Sequence, residues 1–202
     1  MAKKKYFAIG CLAVVLLGIL VVALYVTGVY NSLVGLDQKV QSQWGQVENA
    51  YQRRADLIPN LVETVKGAAA FERDTFTAVT EARAKVGQVQ VNAGELTPDA
   101  FAKFQEAQDG LSSALSRLLV VIEKYPELKA TENFKELQAQ LEGTENRITV
   151  ERMRFNEAAQ SFNTRRNRFP AVLIAGFFGE KFKEKVYFKA QAGAETAPKV
   201  KF

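Results

Sequence analysis

Between Lys5 and Asp37 the chain carries no charged residue, and Tyr6–Val29 is almost wholly apolar: YFAIGCLAVVLLGILVVALYVTGV. As a helix rising ~1.5 Å per residue, that run reaches about 36 Å, enough to cross a hydrocarbon core of ~30 Å with some tilt. It is apolar on every face, whereas a helix at the edge of a soluble core has one apolar stripe. A cleaved signal peptide has a shorter apolar region, about 7–15 residues, and a small-residue cleavage site. Leu24-Tyr25-Val26-Thr27 offers no such site, and too little apolar chain precedes Cys11 for a lipoprotein signal. The expectation is an uncleaved transmembrane helix over 6–29, behind a short basic N-terminus over 1–5. Lys3, Lys4 and Lys5 precede the run, and the next basic residue is Lys39. The positive-inside tendency therefore puts the N-terminus in the cytoplasm and the rest of the chain on the outer side.

Beyond this run the chain is polar and of one-domain size. The formal charge is +5, but three of those charges are the N-terminal lysines and no acid precedes Asp37. The remainder is too nearly neutral to suggest nucleic acid as a partner. The chain has no histidine, which removes the most versatile general base and the commonest metal ligand. Its one cysteine, Cys11, lies in the apolar run, so disulfides cannot hold the domain. There is no Gly-rich phosphate loop, no Cys/His metal spacing and no nucleophile elbow. The expectation is a non-enzyme, with no cofactor and no metal.

Four stretches of 30–168 show helical periodicity. Leu33, Leu36, Val40, Trp44, Val47 and Tyr51 recur at spacings of three and four, with no strong breaker before them, so span and domain are expected to share one helix. Pro59 interrupts this pattern and crowds the carbonyl of Ala55, predicting a kink in a helix that continues through Leu61, Val62 and Val65. A second stretch, roughly Phe71 to Asn92, carries Phe76, Val79, Ala82 and Val86. Thr97-Pro98-Asp99 starts a third, with a capping hydroxyl, a proline at the first position and an acid at the positive end of the dipole. It ends at Tyr125-Pro126. Thr131 starts the fourth, in which Phe134, Leu141, Ile148, Phe155 and Phe162 are spaced by seven. The companion positions Leu137, Thr144, Glu151 and Ala158 are mixed, which favours packing inside a bundle over a free two-stranded zipper. Only Lys185-Val186-Tyr187-Phe188 hints at strand. The predicted class is all-α: an N-terminal transmembrane helix followed by an antiparallel four-helix, coiled-coil-like bundle.

The most distinctive polar run is Arg53-Arg54-Ala55-Asp56-Leu57-Ile58-Pro59-Asn60-Leu61-Val62, followed by Glu63-Thr64-Val65-Lys66-Gly67. Here the chain resembles the LemA family. The resemblance takes in the apolar span, Tyr30-Asn31-Ser32-Leu33-Val34, Glu81-Ala82-Arg83, Phe169-Pro170 and Tyr187-Phe188. It implies an anchored, all-helical bundle in a bacterial inner membrane and leaves the biochemical role undefined. Some relatives are encoded near membrane zinc proteases or help build membrane compartments. Relatives often carry a histidine a few residues after the V-K-G step, where this chain has Phe71, so a role resting on that histidine does not transfer.

Two readings of the charged run stand side by side. In one, Asn60 or the arginines satisfy the carbonyls that Pro59 frees, and Asp56 pairs with Arg53 or Arg54 at the surface. In the other, Arg53, Arg54, Asp56, Leu57, Ile58, Pro59, Asn60, Leu61 and Lys66 form a kinked recognition surface for a partner protein.

The end of the fourth helix is basic, with Arg165, Arg166 and Arg168. Phe169-Pro170-Ala171-Val172-Leu173-Ile174-Ala175-Gly176-Phe177-Phe178 follows, then Lys181, Lys183 and Lys185. Ten apolar residues are too few to span. The segment over 169–189 is expected either to lie among anionic lipid headgroups or to fold back and cap the bundle. Residues 190–202 look like a flexible terminus. The overall expectation is a scaffold or interaction protein that contacts the bilayer through Tyr6–Val29 and binds protein partners. The alternative is an adaptor or regulator of a membrane protease or of a remodelling protein that also touches anionic lipid. Self-association is left open, since Gly10 and Gly18 do not form a G-x-x-x-G pair.

Overall fold

The computed structural model describes residues 2–66, 73–89, 91 and 96–189. Every regular element among the described residues is helical. They are α1 (Ala2–Lys66), α2 (Arg73–Gln88), α3 (Pro98–Ile122), α4 (Pro126–Ala130), α5 (Glu132–Asn167), α6 (Ala171–Phe177) and a 3₁₀ turn (Gly179–Phe182). The expected flexible end over 190–202 lies outside the described residues.

The apolar run and the first domain helix are one element, as their unbroken pattern predicts. Among the described residues α1 is the one helix long and apolar enough to cross a membrane, and its most apolar stretch has a mean hydropathy of 2.9 with none of it buried. Pro59 sits inside α1 and does not end it. The start of α3 follows its sequence signal, since the Thr97 hydroxyl accepts from the Ala100 amide at 3.2 Å. Pro126 opens the short α4, and the Thr131 hydroxyl closes it on the Leu128 carbonyl at 2.7 Å. The Lys135 amide then bonds the Thr131 carbonyl at 3.2 Å as α5 begins.

The chain forms two compact units. In the larger, Gln41–Ala159 with Val186–Phe202, the core draws on Ile58, Leu61 and Val65 of α1, Phe76 and Val79 of α2, Leu111, Leu118 and Ile122 of α3, Leu128 of α4, and Phe134 and Leu141 of α5. Farther along α1 the fully buried Trp44 has ring centroids of Phe104 at 5.1 Å, Phe155 at 5.6 Å, Phe101 at 5.8 Å and Phe188 at 6.1 Å around it. Each such side chain contributes roughly 1.5–3 kcal/mol by leaving water. All five residues of the seven-spaced pattern are buried, as are the companion positions Thr144, Glu151 and Ala158.

The smaller unit, Met1–Val40 with Gln160–Lys185, buries Val29, Leu33, Val40, Phe162, Ala171, Ala175 and Phe182. Gly179, at φ 47°, makes the left-handed turn between α6 and the 3₁₀ turn that a side chain would resist. The hint of strand at 185–188 becomes an irregular segment with no ladder. Asparagine side chains hold it instead. In the smaller unit Asn163 accepts from the Lys185 amide and donates to its carbonyl, both at 2.8 Å. In the larger unit Asn156 does the same for Phe188, at 2.9 and 3.1 Å.

Candidate functional site

Helical periodicity divides the charged run of α1 into two faces. Arg54, Ile58, Leu61 and Val65 point inward and are buried, Leu57 is half-buried, and Arg53, Asp56, Pro59, Asn60 and Lys66 are exposed. Arg54 is only 1% exposed. Its Nη1 donates to Ser112 Oγ and Glu145 Oε1, both at 2.8 Å, and its Nη2 donates to the carbonyl and side-chain oxygens of Gln108. The guanidinium also lies 5.0 Å from the ring centre of Tyr51. One planar fork thus ties α1 to α3 and α5, a geometry that a lysine ammonium cannot reproduce. Glu145 stays 47% exposed, so the desolvation penalty of this ion pair falls mainly on the arginine. Burial pushes the Tyr51 phenol above its ordinary range, against the pull of Arg152 and Arg54, so it stays neutral near pH 7. An open cavity of about 520 Å³ lies beside the cluster, bordered by Tyr51, Arg54, Glu145, Arg152 and Phe188.

Pro59 explains a second arginine. Without an amide proton at Pro59, the Ala55 carbonyl has no helical partner. Arg83 of α2 supplies one, its Nε donating to Ala55 O at 3.0 Å. The local repair expected from Asn60 or the neighbouring arginines is therefore made from another helix. The Asn60 carbonyl itself accepts the Thr64 hydroxyl at 2.8 Å. Asp56 takes Gln52 Nε2 at 2.8 Å, while Arg54 turns away from it to Glu145. Arg83, Gln108, Ser112 and Glu145 were not derivable as partners of this run. Each is an ordinary surface-type residue in sequence, and the pairing spans 28 to 91 positions.

The basic, aromatic segment belongs to the smaller unit, and its residues divide. Arg165 Nε donates to Ser32 Oγ at 3.3 Å, and Arg166 Nε donates to the Phe182 carbonyl at 2.6 Å. Lys185 pairs with Asp37 at 2.5 Å and sits over the Phe162 ring. Lys181 donates to the Tyr30 hydroxyl and lies over that ring at 4.8 Å. Phe178 packs on Tyr30 at 4.9 Å between ring centres, and Phe182 packs there at 5.5 Å. Lys183 pairs with nearby Glu180, at the surface. Arg168 is exposed, as are Phe169 at 81%, Leu173 at 65% and Phe177 at 86%. Within the smaller unit Ala171, Ala175 and Phe182 are buried and Ile174 and Phe178 half-buried, whereas Val172, Leu173, Phe169 and Phe177 are exposed.

Among the described residues no group of His, Cys, Asp or Glu has the arrangement of a metal site. The sequence profile of the LemA family matches residues 43–202. The chain belongs to the LemA family. The match begins beyond the apolar run, and the residues of the Arg54 cluster, Pro59 and Arg83 fall inside it. Magnetosome protein MamQ of Magnetospirillum gryphiswaldense is 28% identical over 184 residues, covering 83% of this chain and 67% of the relative. Magnetosome protein MamQ 2 of Paramagnetospirillum magneticum is 27% identical over the same extent. Protein LemA of Metamycoplasma hominis is 23% identical over 135 residues, 67% of this chain and 58% of its own.

Proposed function

We propose that this LemA-family protein is a single-pass, membrane-anchored helical scaffold that presents an interaction surface at the cell envelope membrane. The carrying observation is that α1 runs unbroken from the apolar run into the packed core, so the membrane anchor is itself a core element. An antiparallel four-helix bundle of α1, α2, α3 and α5 is the architecture we assign to the larger unit. Contacts at Trp44–Phe155 and Arg54–Glu145 support it, since moving up α1 by ten residues moves down α5 by ten. The buried polar groups of the motif are engaged in joining helices, which favours structure over catalysis at this site. Arg53, Asp56, Asn60 and Lys66, exposed on the opposite face of α1, are the surface we assign to a protein partner. Relatives named as magnetosome proteins favour a component of a larger assembly.

The test is photo-crosslinking of the full-length protein in its own membrane from positions 53, 56, 60 and 66, with Lys103 of α3 as control. Discrete adducts from the α1 positions and none from Lys103 are expected. No adducts, or the same ones from every position, would refute the assigned surface.

A further inference from the structure

We propose that α6 is a second membrane contact, an interfacial wedge lying in the anionic headgroup layer of the leaflet from which α1 emerges; this rests on the anchoring reading above. Leu173 and Phe177 are four residues apart in α6, so they share one side of it, and Phe169, in the turn just before the helix, is exposed as well. The opposite side is Ala171 and Ala175, both buried. Large apolar side chains displayed together in this way mark a contact surface.

The position of α6 says what covers that surface. Val29, the last residue of the apolar run, is buried, and the next residue, Tyr30, lies under Phe178 and Phe182 and takes a hydrogen bond from Lys181. The segment that carries α6 is thus clamped to the turn of α1 where the apolar run ends. At that level a spanning helix passes from hydrocarbon into headgroups, the zone that aromatic side chains favour. Charge agrees in part, for Arg168 is exposed just before α6, and Lys183, beyond the 3₁₀ turn, is exposed and paired with Glu180. Arg165 and Arg168 also border, with Ser161 and Thr164, a shallow cavity of about 320 Å³ suited to a headgroup phosphate. A short helix with aromatic and aliphatic groups on one side and an exposed arginine just before it has the composition of an interfacial element.

The experiment uses the full chain in vesicles of phosphatidylcholine, with and without phosphatidylglycerol. An environment-sensitive NBD label is placed on native Cys11 in one sample, and on a Cys11→Ser/Phe177→Cys variant in the other. Position 177 is exposed, so the fold is undisturbed, which Trp44 emission verifies. Expected for 177 is a blue shift and quenching by lipid carrying a shallow doxyl group, stronger with phosphatidylglycerol. Expected for Cys11 is quenching by a deep doxyl group. A 177 label quenched by aqueous iodide and untouched by doxyl lipid, with Cys11 still deep, would overturn the wedge and leave the anchor standing. A Cys11 label in water would overturn the anchor and the wedge together. Crosslinking of 177 to 177 without lipid quenching would assign the face to a second copy and overturn the proposal. Equal quenching in both lipid mixtures would overturn its anionic preference.

Discussion

Arg83 and Pro59 should behave as a thermodynamic pair, although they sit on different helices. Replacing Arg83 with methionine keeps the apolar stem and removes the Nε–H that serves the Ala55 carbonyl at 3.0 Å. A hydrogen bond from a charged donor contributes about 1.5–3 kcal/mol, and solvent competes for an exposed guanidinium, so the expected loss is about 1 kcal/mol. In a Pro59→Ala background the new amide at position 59 reaches the same carbonyl, as in any α-helix. Arg83→Met should then cost almost nothing, giving a coupling energy of about 1 kcal/mol in the double-mutant cycle. Urea unfolding of the detergent-solubilised chain measures this, with emission from Trp44, its single tryptophan, as the signal. A loss at Arg83 of the same size in both backgrounds would refute the idea that Arg83 compensates for the proline.

Arg54→Met should destabilise by about 3 kcal/mol, because it strands the Gln108 side chain in the core while Glu145 can rehydrate. Arg54→Lys should recover little of this, and a loss below about 1 kcal/mol for Arg54→Met in urea unfolding would contradict the cluster's role. Asn156→Ala removes both bonds to the Phe188 backbone, so hydrogen exchange at the Phe188 amide should quicken by at least ~10-fold, and unchanged exchange would show that the side chain does not hold the segment. Glu48 is exposed as a residue, but partial desolvation of its carboxyl raises it above its ordinary range, opposed by the Trp44 indole. The folded state is therefore penalised for ionised Glu48 above that range and not below it. Glu48→Gln should stabilise the protein at neutral pH, with a gain that fades as the pH falls through the carboxylate range; a gain independent of pH would exclude this cause.

Much of the architecture is legible in periodicity alone. The seven-spaced Phe134, Leu141, Ile148, Phe155 and Phe162 are all buried, and Thr97-Pro98-Asp99 starts its helix, because these signals depend on residues within one or two turns. The charged run is legible as a motif and not as a set of contacts. Periodicity sets Arg54, three after Tyr51 and four before Ile58, on the buried stripe and Arg53 off it, but nothing local names the three polar partners that receive Arg54. Likewise the basic residues after α5 look alike in sequence. Asp37 and Tyr30 bind two of them, and Arg168 and Lys183 stay at the surface.

The helical class, and a first helix that begins with a run long and apolar enough to cross a membrane, are already legible in the order of residues. Both follow from the spacing of apolar residues along a helix of known rise. Tertiary structure alone decided which arginine replaces the hydrogen bond that Pro59 lacks, and which phenylalanines stay outside. Those outcomes depend on helices separated by tens of residues meeting in space, where one guanidinium fits and the next does not.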